Sequence, residues 1–353
     1  MTATESAVKT TDAPRPWLLN IHRVCFRFRA KVLALIGISL FLFITLAAWT
    51  LSLGSHHLSL STILQVLSGQ GTPEADFVIL NLRLPRILTA GLVGLLLAQS
   101  GVVFQGLVRN PLASPDIIGV SAGASFAAVF WIVARLPTGW LPVAAFGGAL
   151  IAAAAIYILS WRGKFSNTRL ILVGIGINAM LSAGITLLVV RAGINDVSKA
   201  YQWMTGSVYA ASWADVRTLG LAAGLLTPLG AVLMWPMQVM QIGDLTAQSL
   251  GIPLERTRLL QALVGCALSA VAISSAGPIG FVALMVPHIA RLLAGPISGG
   301  VFLLSGILGG ILVMSADMLG QHALPVGLPA GVLTAALGAP YFLFLMHRSN
   351  TRL

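Results

Sequence analysis

The chain has 353 residues, 57% of them hydrophobic and 9% charged. A soluble domain carries about 25% charged residues, so a polytopic membrane protein is the class that fits. The net charge of +11 does not indicate nucleic acid, because the basic residues flank apolar runs, and the two cysteines, Cys25 and Cys266, are too few for a disulfide framework.

Taken in order, residues 1–30 form a polar and then basic tail, with Arg23, Arg27, Arg29 and Lys31 ahead of the first apolar run. That run, 32–53, is too long for the core of a signal peptide and no small-residue cleavage site follows, so it is predicted as a first membrane helix. A polar connection with Gly69, Gly71 and Pro73 leads to two uncharged runs, 87–108 and 117–134. A helix needs about 20 apolar residues to cross a bilayer, and both runs are predicted to do so. The turn between them reads RNPLASPD: Pro111 and Pro115 exclude continuous helix, and Asn110 and Asp116 are suited to cap its edges. Gly91, Gly94, Gly101, Gly106, Gly119 and Gly123 narrow the helix faces and let backbones approach in lipid.

A fourth helix is expected from about Leu141 to residue 161, then a basic loop with Arg162, Lys164 and Arg169, then a fifth helix over 170–190. The polar segment 191–217 carries Trp203 and Trp213, suited to the headgroup level. A sixth helix over 218–235 contains Pro228 as an expected kink. Residues 238–258 break the apolar pattern; Gly243, Ala247 and Gly251, spaced by four, are predicted to line one helix face, which by itself reads as an ordinary connecting helix. A seventh helix ends at Gly277-Pro278, where an eighth begins and runs to about Arg291; a ninth and tenth follow over 298–319 and 327–346. Ten helices, in one membrane domain over 31–348, put both termini on one side. With the termini in the cytoplasm, fifteen Lys and Arg lie inside and six outside, as positive-inside asymmetry requires.

Three blocks fall in a specific order. The first is RLPR (83–86) followed by SGxxxQxLxRNPLAxPxxxGxxxGA, matched by Ser100, Gly101, Gln105, Arg109, Asn110, Pro111, Ala113, Pro115, Gly119, Gly123 and Ala124. GPIGFVALMVPHIAR (277–291) and LPVGLPAGVLTAALGAPYFLFL (324–345) come after it. Over residues 33–348 the chain resembles the FecCD-like permeases, the membrane subunits of ABC importers for ferric siderophores, haem and cobalamin. The resemblance implies half of a dimeric pore in the cytoplasmic membrane, working by alternating access with two P-loop ATPase subunits inside and a solute-binding protein outside. It implies a ferric siderophore as cargo, with cobalamin and haem as alternatives, and no cofactor on this chain. In the same terms Arg83 and Arg86 meet acidic residues of the binding protein, and Gly243, Ala247, Leu250 and Gly251 belong to the coupling segment (238–258) that seats in the ATPase. Gly101, Gln105, Asn110, Pro111, Gly119, Gly123 and Asp317 line the pathway or pack its helices. The chain departs from the family between the ninth and tenth helices, where Gln321 and Ala323 stand in place of an Arg and a Glu, and this favours a heterodimer with a related permease.

Other chemistries are weaker. Gly123-Ala124-Ser125 has the GxS of intramembrane serine proteases, but Phe126 replaces the usual glycine and the only bases, His288 and His322, fall toward opposite faces. His288 is expected to contact a cap or a carbonyl. Asp317 is an intramembrane acid near the outer, water-accessible end of its helix, and its alternatives are a polar hinge contact, a pathway role or the relay of a proton-coupled transporter. No metal-ligand spacing occurs, and with no GxxxxGK[ST] the chain does not hydrolyse ATP itself. SGVVFQ (100–105) and AGPIGF (276–281), five helices apart, suggest an inverted repeat.

Overall fold

The computed structural model describes residues 17–21, 24–28, 30–53, 59–161, 167–323 and 326–350. Arg162 and Lys164 of the expected basic loop, and the Leu324-Pro325 pair, lie outside them. In the tail, strands β1 (Trp17–Ile21) and β2 (Val24–Phe28) pair antiparallel, with Ile21 opposite Val24. Among the described residues everything else regular is helical.

Seven helical stretches are long and apolar enough to cross a membrane, and three shorter apolar helices complete the ten expected spans in the expected order. They are α1 (Ala30–Ser52), α4 (Leu84–Val108), α5 (Val120–Val133), α6 (Leu141–Ser160), α7 (Asn167–Arg191), α9 (Trp213–Ile242), α11 (Leu254–Ala276), α12 (Val282–Ala294), α13 (Gly299–His322) and α14 (Ala330–Asn350). The connections hold further helices: α2 (Leu60–Leu67), α3 (Pro73–Asp76), α8 (Ile194–Met204) and α10 (Asp244–Ser249). A π-helical stretch, Phe77–Arg83, joins α3 to α4.

Two runs predicted to span do so only in part. At 1.5 Å per residue the 14-residue α5 is about 21 Å long and the 13-residue α12 about 20 Å, short of a hydrocarbon core of about 30 Å. The apolar run 117–134 is cut because Gly119 takes a left-handed backbone after a 3-10 turn, Pro115–Ile118. Likewise Gly277 and Phe281 both have positive φ, so the chain between α11 and α12 is extended and turned rather than helical. SGVVFQ therefore lies inside unbroken α4 while AGPIGF lies at a helix break, and the two segments do not share a conformation. The expected kink at Pro228 falls inside a helix that continues through both Pro228 and Pro236.

Helix α4 is the axis of the molecule. Its span is mostly buried, packed against α13, α11, α9 and α12. Glycine permits this: a Cβ on Gly94 would strike the Gly309 carbonyl, and one on Gly101 the Ala283 carbonyl. A second layer packs α5 on α6 through Gly123 and Gly148 in the same way. The outward faces carry Phe41, Ile151, Val190 and Leu221, all exposed apolar side chains of the kind a lipid-facing surface requires.

Candidate functional site

Charged groups concentrate at the two ends of α4. At its C-terminus Arg109 adopts a left-handed conformation that turns its side chain across to the α9–α10 junction. Its guanidinium donates to the Met240 carbonyl (2.6 Å) and to the Asp244 carboxylate. Asp244, the first residue of α10, also accepts from Arg258 at 2.6 Å. Burial pushes the Asp244 carboxyl up, but hydrogen bonds and charge from Arg258 and Arg109 prevail and hold it below the ordinary aspartate value. The Gln241 amide donates to the Gly106 carbonyl (2.9 Å), a further tie between α9 and the last turn of α4.

Gly243, Ala247 and Gly251 do not line one helix face. Only Ala247 is in a helix, and α10 is six residues long. Gly243 (φ 149°) and Gly251 (φ 79°) are the turns at its two ends, so glycine serves the backbone there, not a shallow surface. Ala247 is fully buried with Met240, Ile252 and Leu254. The surface of the segment is instead apolar: Leu245 is 83% exposed, Leu250 62%. In the adjoining turn Asn110 Oδ1 accepts the Leu112 amide (2.9 Å), Pro111 is exposed, and Asp116 accepts from Ser121 and Ser114.

At the N-terminal end of α4, Arg86 forms a two-pronged pair with Asp317 of α13, Nε to Oδ2 and Nη2 to Oδ1 both 2.8 Å. Gln321 Nε2 donates to the same carboxylate at 2.7 Å, and the guanidinium lies 4.9 Å from the centre of the Tyr209 ring. Asp317 is only 3% exposed, so the carboxylate expected within reach of water is dry. Arg83, one turn earlier and half-buried, donates to the Leu51 carbonyl at 2.6 Å. Arg83, Arg86, Tyr209 and Gln321 wall a cavity of about 760 Å³ together with Gln202, Ser207 and His322.

Of the other expected residues, Gly101, Gly119 and Gly123 sit at close helix contacts, with α12, with Ile156 and with α6. Gln105 is buried, its amide donating to the Leu284 carbonyl (2.9 Å) while its own oxygen has no partner. Ser125 is buried on α5 and pairs with neither histidine. His288 stacks edge-on against Tyr341 (6.2 Å) and meets Arg291, not a cap or a carbonyl, and His322 Nδ1 lies 3.0 Å from the Met318 carbonyl. Sequence reasoning missed Asp244, Arg258 and Tyr209. The one signal available was that an acid and an arginine flank the 238–258 segment in a chain that spends few charges.

The chain matches the FecCD transport family over residues 39–348. It is 42% identical over 315 residues to the achromobactin transport system permease protein CbrC of Dickeya dadantii (strain 3937), covering 88% of this chain and 90% of that one. It is 40% identical over 291 residues to the probable siderophore transport system permease protein YfhA of Bacillus subtilis (strain 168), covering 80% and 85%. Among solved structures it superposes, with a TM-score of 0.82 and 27% identity over 89% of this chain and 99% of the other, on an inward-facing ABC transporter assigned to the metal-chelate type.

Proposed function

The chain belongs to the FecCD transport family, and we propose that it pairs with a second permease subunit to form the pore of an importer for a ferric siderophore. It is a membrane-spanning permease subunit of an ABC importer of the metal-chelate type and not an enzyme; ATP hydrolysis belongs to a separate ATPase. The observation that carries the mechanism is α4 itself. It begins at the Arg86–Asp317 pair and ends at the Arg109–Asp244–Arg258 cluster, 23 residues or about 35 Å apart at helical rise. One buried rod thus joins two charged sites on opposite faces.

In this reading α10 faces the cytoplasm and offers Leu245 and Leu250 to a cleft in the ATPase. Gly243 and Gly251 give the bends that set α10 across the end of the bundle, and Ala247 anchors it. Closure of the ATPase pair pushes α10; Asp244 hands the displacement to Arg109 and so to α4. Both termini lie on the same side as α10, in the cytoplasmic membrane. At the outer face the Arg83–Arg86 end of α4 receives the acidic lobes of the binding protein. Gln321, turned inward onto Asp317, does not replace the arginine missing from the loop between α13 and α14, which supports a heterodimer. The cargo passes between the two subunits, while Gly101 and Gln105 pack α4 against α12 inside one of them.

Uptake of radiolabelled ferric achromobactin, ferric citrate and cobalamin, in a strain lacking its own importers and given this chain with its genomic neighbours, tests the reading. ATP-dependent uptake of a ferric siderophore is the expected result. Uptake of cobalamin alone would overturn the cargo, and uptake that survives ATP depletion but not an uncoupler would overturn the class.

A further inference from the structure

The face that carries α10 holds a second cavity, of about 610 Å³, between the start of α1, the end of α9 and the turn from α12 to α13. Its walls divide by chemistry. Val32, Ile242, Ala294 and Ile297 make one side apolar; Arg291, Gln238 and Ser298 make the other polar. Among the described residues no carboxylate lines it.

Arg291 is the unusual member. Its Nε is buried and has no hydrogen-bond partner, and among the described residues no Asp or Glu is in ion-pair contact with it. Its neighbours are His288, 3.5 Å from the guanidinium, and Tyr341, whose hydroxyl is also buried without a partner. A guanidinium with a buried, unpartnered Nε and no counter-charge is costly, and that cost falls when an anion is bound. Gln238 likewise makes no side-chain hydrogen bond to the described residues, whereas Ser298 is occupied as the N-cap of α13, accepting the Val301 amide at 3.2 Å. Arg291 and Gln238 are therefore the donors the cavity has to offer an oxyanion.

We propose that this cavity binds the phosphate of an anionic phospholipid. The phosphate is the oxyanion Arg291 lacks, and the apolar wall distinguishes a lipid from a free anion. Val32, in the first turn of α1, faces into the bundle with Ala290 and Ala294, while Ile242, at the end of α9, is 74% exposed and carries the apolar side of the cavity outward. The headgroup sits against Arg291 and Gln238 while the first methylenes of the chains follow Val32 and Ile242 out to the bilayer.

The test uses the full-length chain in a non-ionic detergent, titrated with dioleoylphosphatidylglycerol, dioleoylphosphatidylcholine or inorganic phosphate, with the thermal midpoint as readout. Phosphatidylglycerol should raise the midpoint of the wild-type protein more than phosphatidylcholine does, and inorganic phosphate should not raise it. In Arg291→Gln the apparent affinity for phosphatidylglycerol should fall about tenfold or more, the scale of one charge-assisted contact. Gln238→Leu keeps the arginine and should weaken it severalfold, which holds the proposal to account if Arg291→Gln does not fold. An equal response to inorganic phosphate would reassign the site to a free anion. Lipid responses unchanged in both variants, with Arg291→Gln losing the ATPase instead, would make Arg291 a protein-docking residue and overturn the proposal.

Discussion

Arg86 and Asp317 stand 231 positions apart and meet through two hydrogen bonds of 2.8 Å, fixing the start of α4 to the C-terminal end of α13. Their side chains are 15% and 4% exposed, so the pair is largely out of water. Removing one partner leaves the other charge buried, which costs about 3–5 kcal/mol, whereas replacing both with apolar residues of similar size costs far less. Asp317→Ala should therefore lower the thermal midpoint sharply, and Arg86→Met with Asp317→Leu should recover most of it. A double variant as unstable as Asp317→Ala would refute the buried pair.

Docking should rest on the Arg83–Arg86 end of α4. Surface charge pairs are worth about 0–1 kcal/mol each, yet they steer encounter strongly at low salt. Arg83→Glu should slow binding-protein association, most at low ionic strength, in surface plasmon resonance on reconstituted protein. An association rate and salt dependence equal to wild type would make Arg83 a membrane anchor held to Leu51.

Coupling should be sensitive to the exposed leucines of the α10 segment. Leu245→Asp should leave insertion intact and abolish most of the ATPase stimulation produced by loaded binding protein. Gly251→Ala is the control for backbone strain: with φ 79° and open space around it, its effect is on the turn and not on the contact. Normal stimulation in Leu245→Asp would remove α10 from the interface.

Acid should loosen the α10 anchor. The Asp244 carboxyl is held below the ordinary aspartate value, so the stability it contributes is present above the unfolded aspartate value and is lost as pH falls through the lower folded one. At neutral pH the carboxylate is ionised and the anchor holds. Proteolysis at the α10 turn should therefore rise only in strong acid, and Asp244→Asn should show the same susceptibility at pH 7. Equal protection of the variant and the wild type at pH 7 would refute the anchor.

The side of the membrane is set by charge. Cysteine placed at Gln248, in a chain lacking Cys25 and Cys266, should resist an impermeant maleimide added outside intact cells and react after permeabilisation. Labelling from outside would invert the topology and both docking assignments with it.

Ten apolar segments, their order and the polar break at 238–258 were readable from composition along the chain. The reason is that lipid offers no hydrogen bonds, so each apolar run must satisfy its own backbone as helix, a local requirement written in local sequence. The RNPLA turn and the family motifs were legible for a similar reason, being contiguous. What depended on the tertiary structure was pairing. Arg86 read as a flanking arginine and Asp317 as a solitary acid, and only packing of α4 on α13 through Gly94 and Gly309 sets them in contact. Hydropathy also counted α5 and α12 as full spans, because an apolar run does not register the left-handed backbone at Gly119 or Phe281 that shortens each helix. Small residues at spacing four suggested a stripe at Gly243, Ala247 and Gly251, yet dihedral angles placed two of them in turns. Composition determines which segments enter the membrane; which faces meet, and which charges lose their water, depends on contacts between residues hundreds of positions apart.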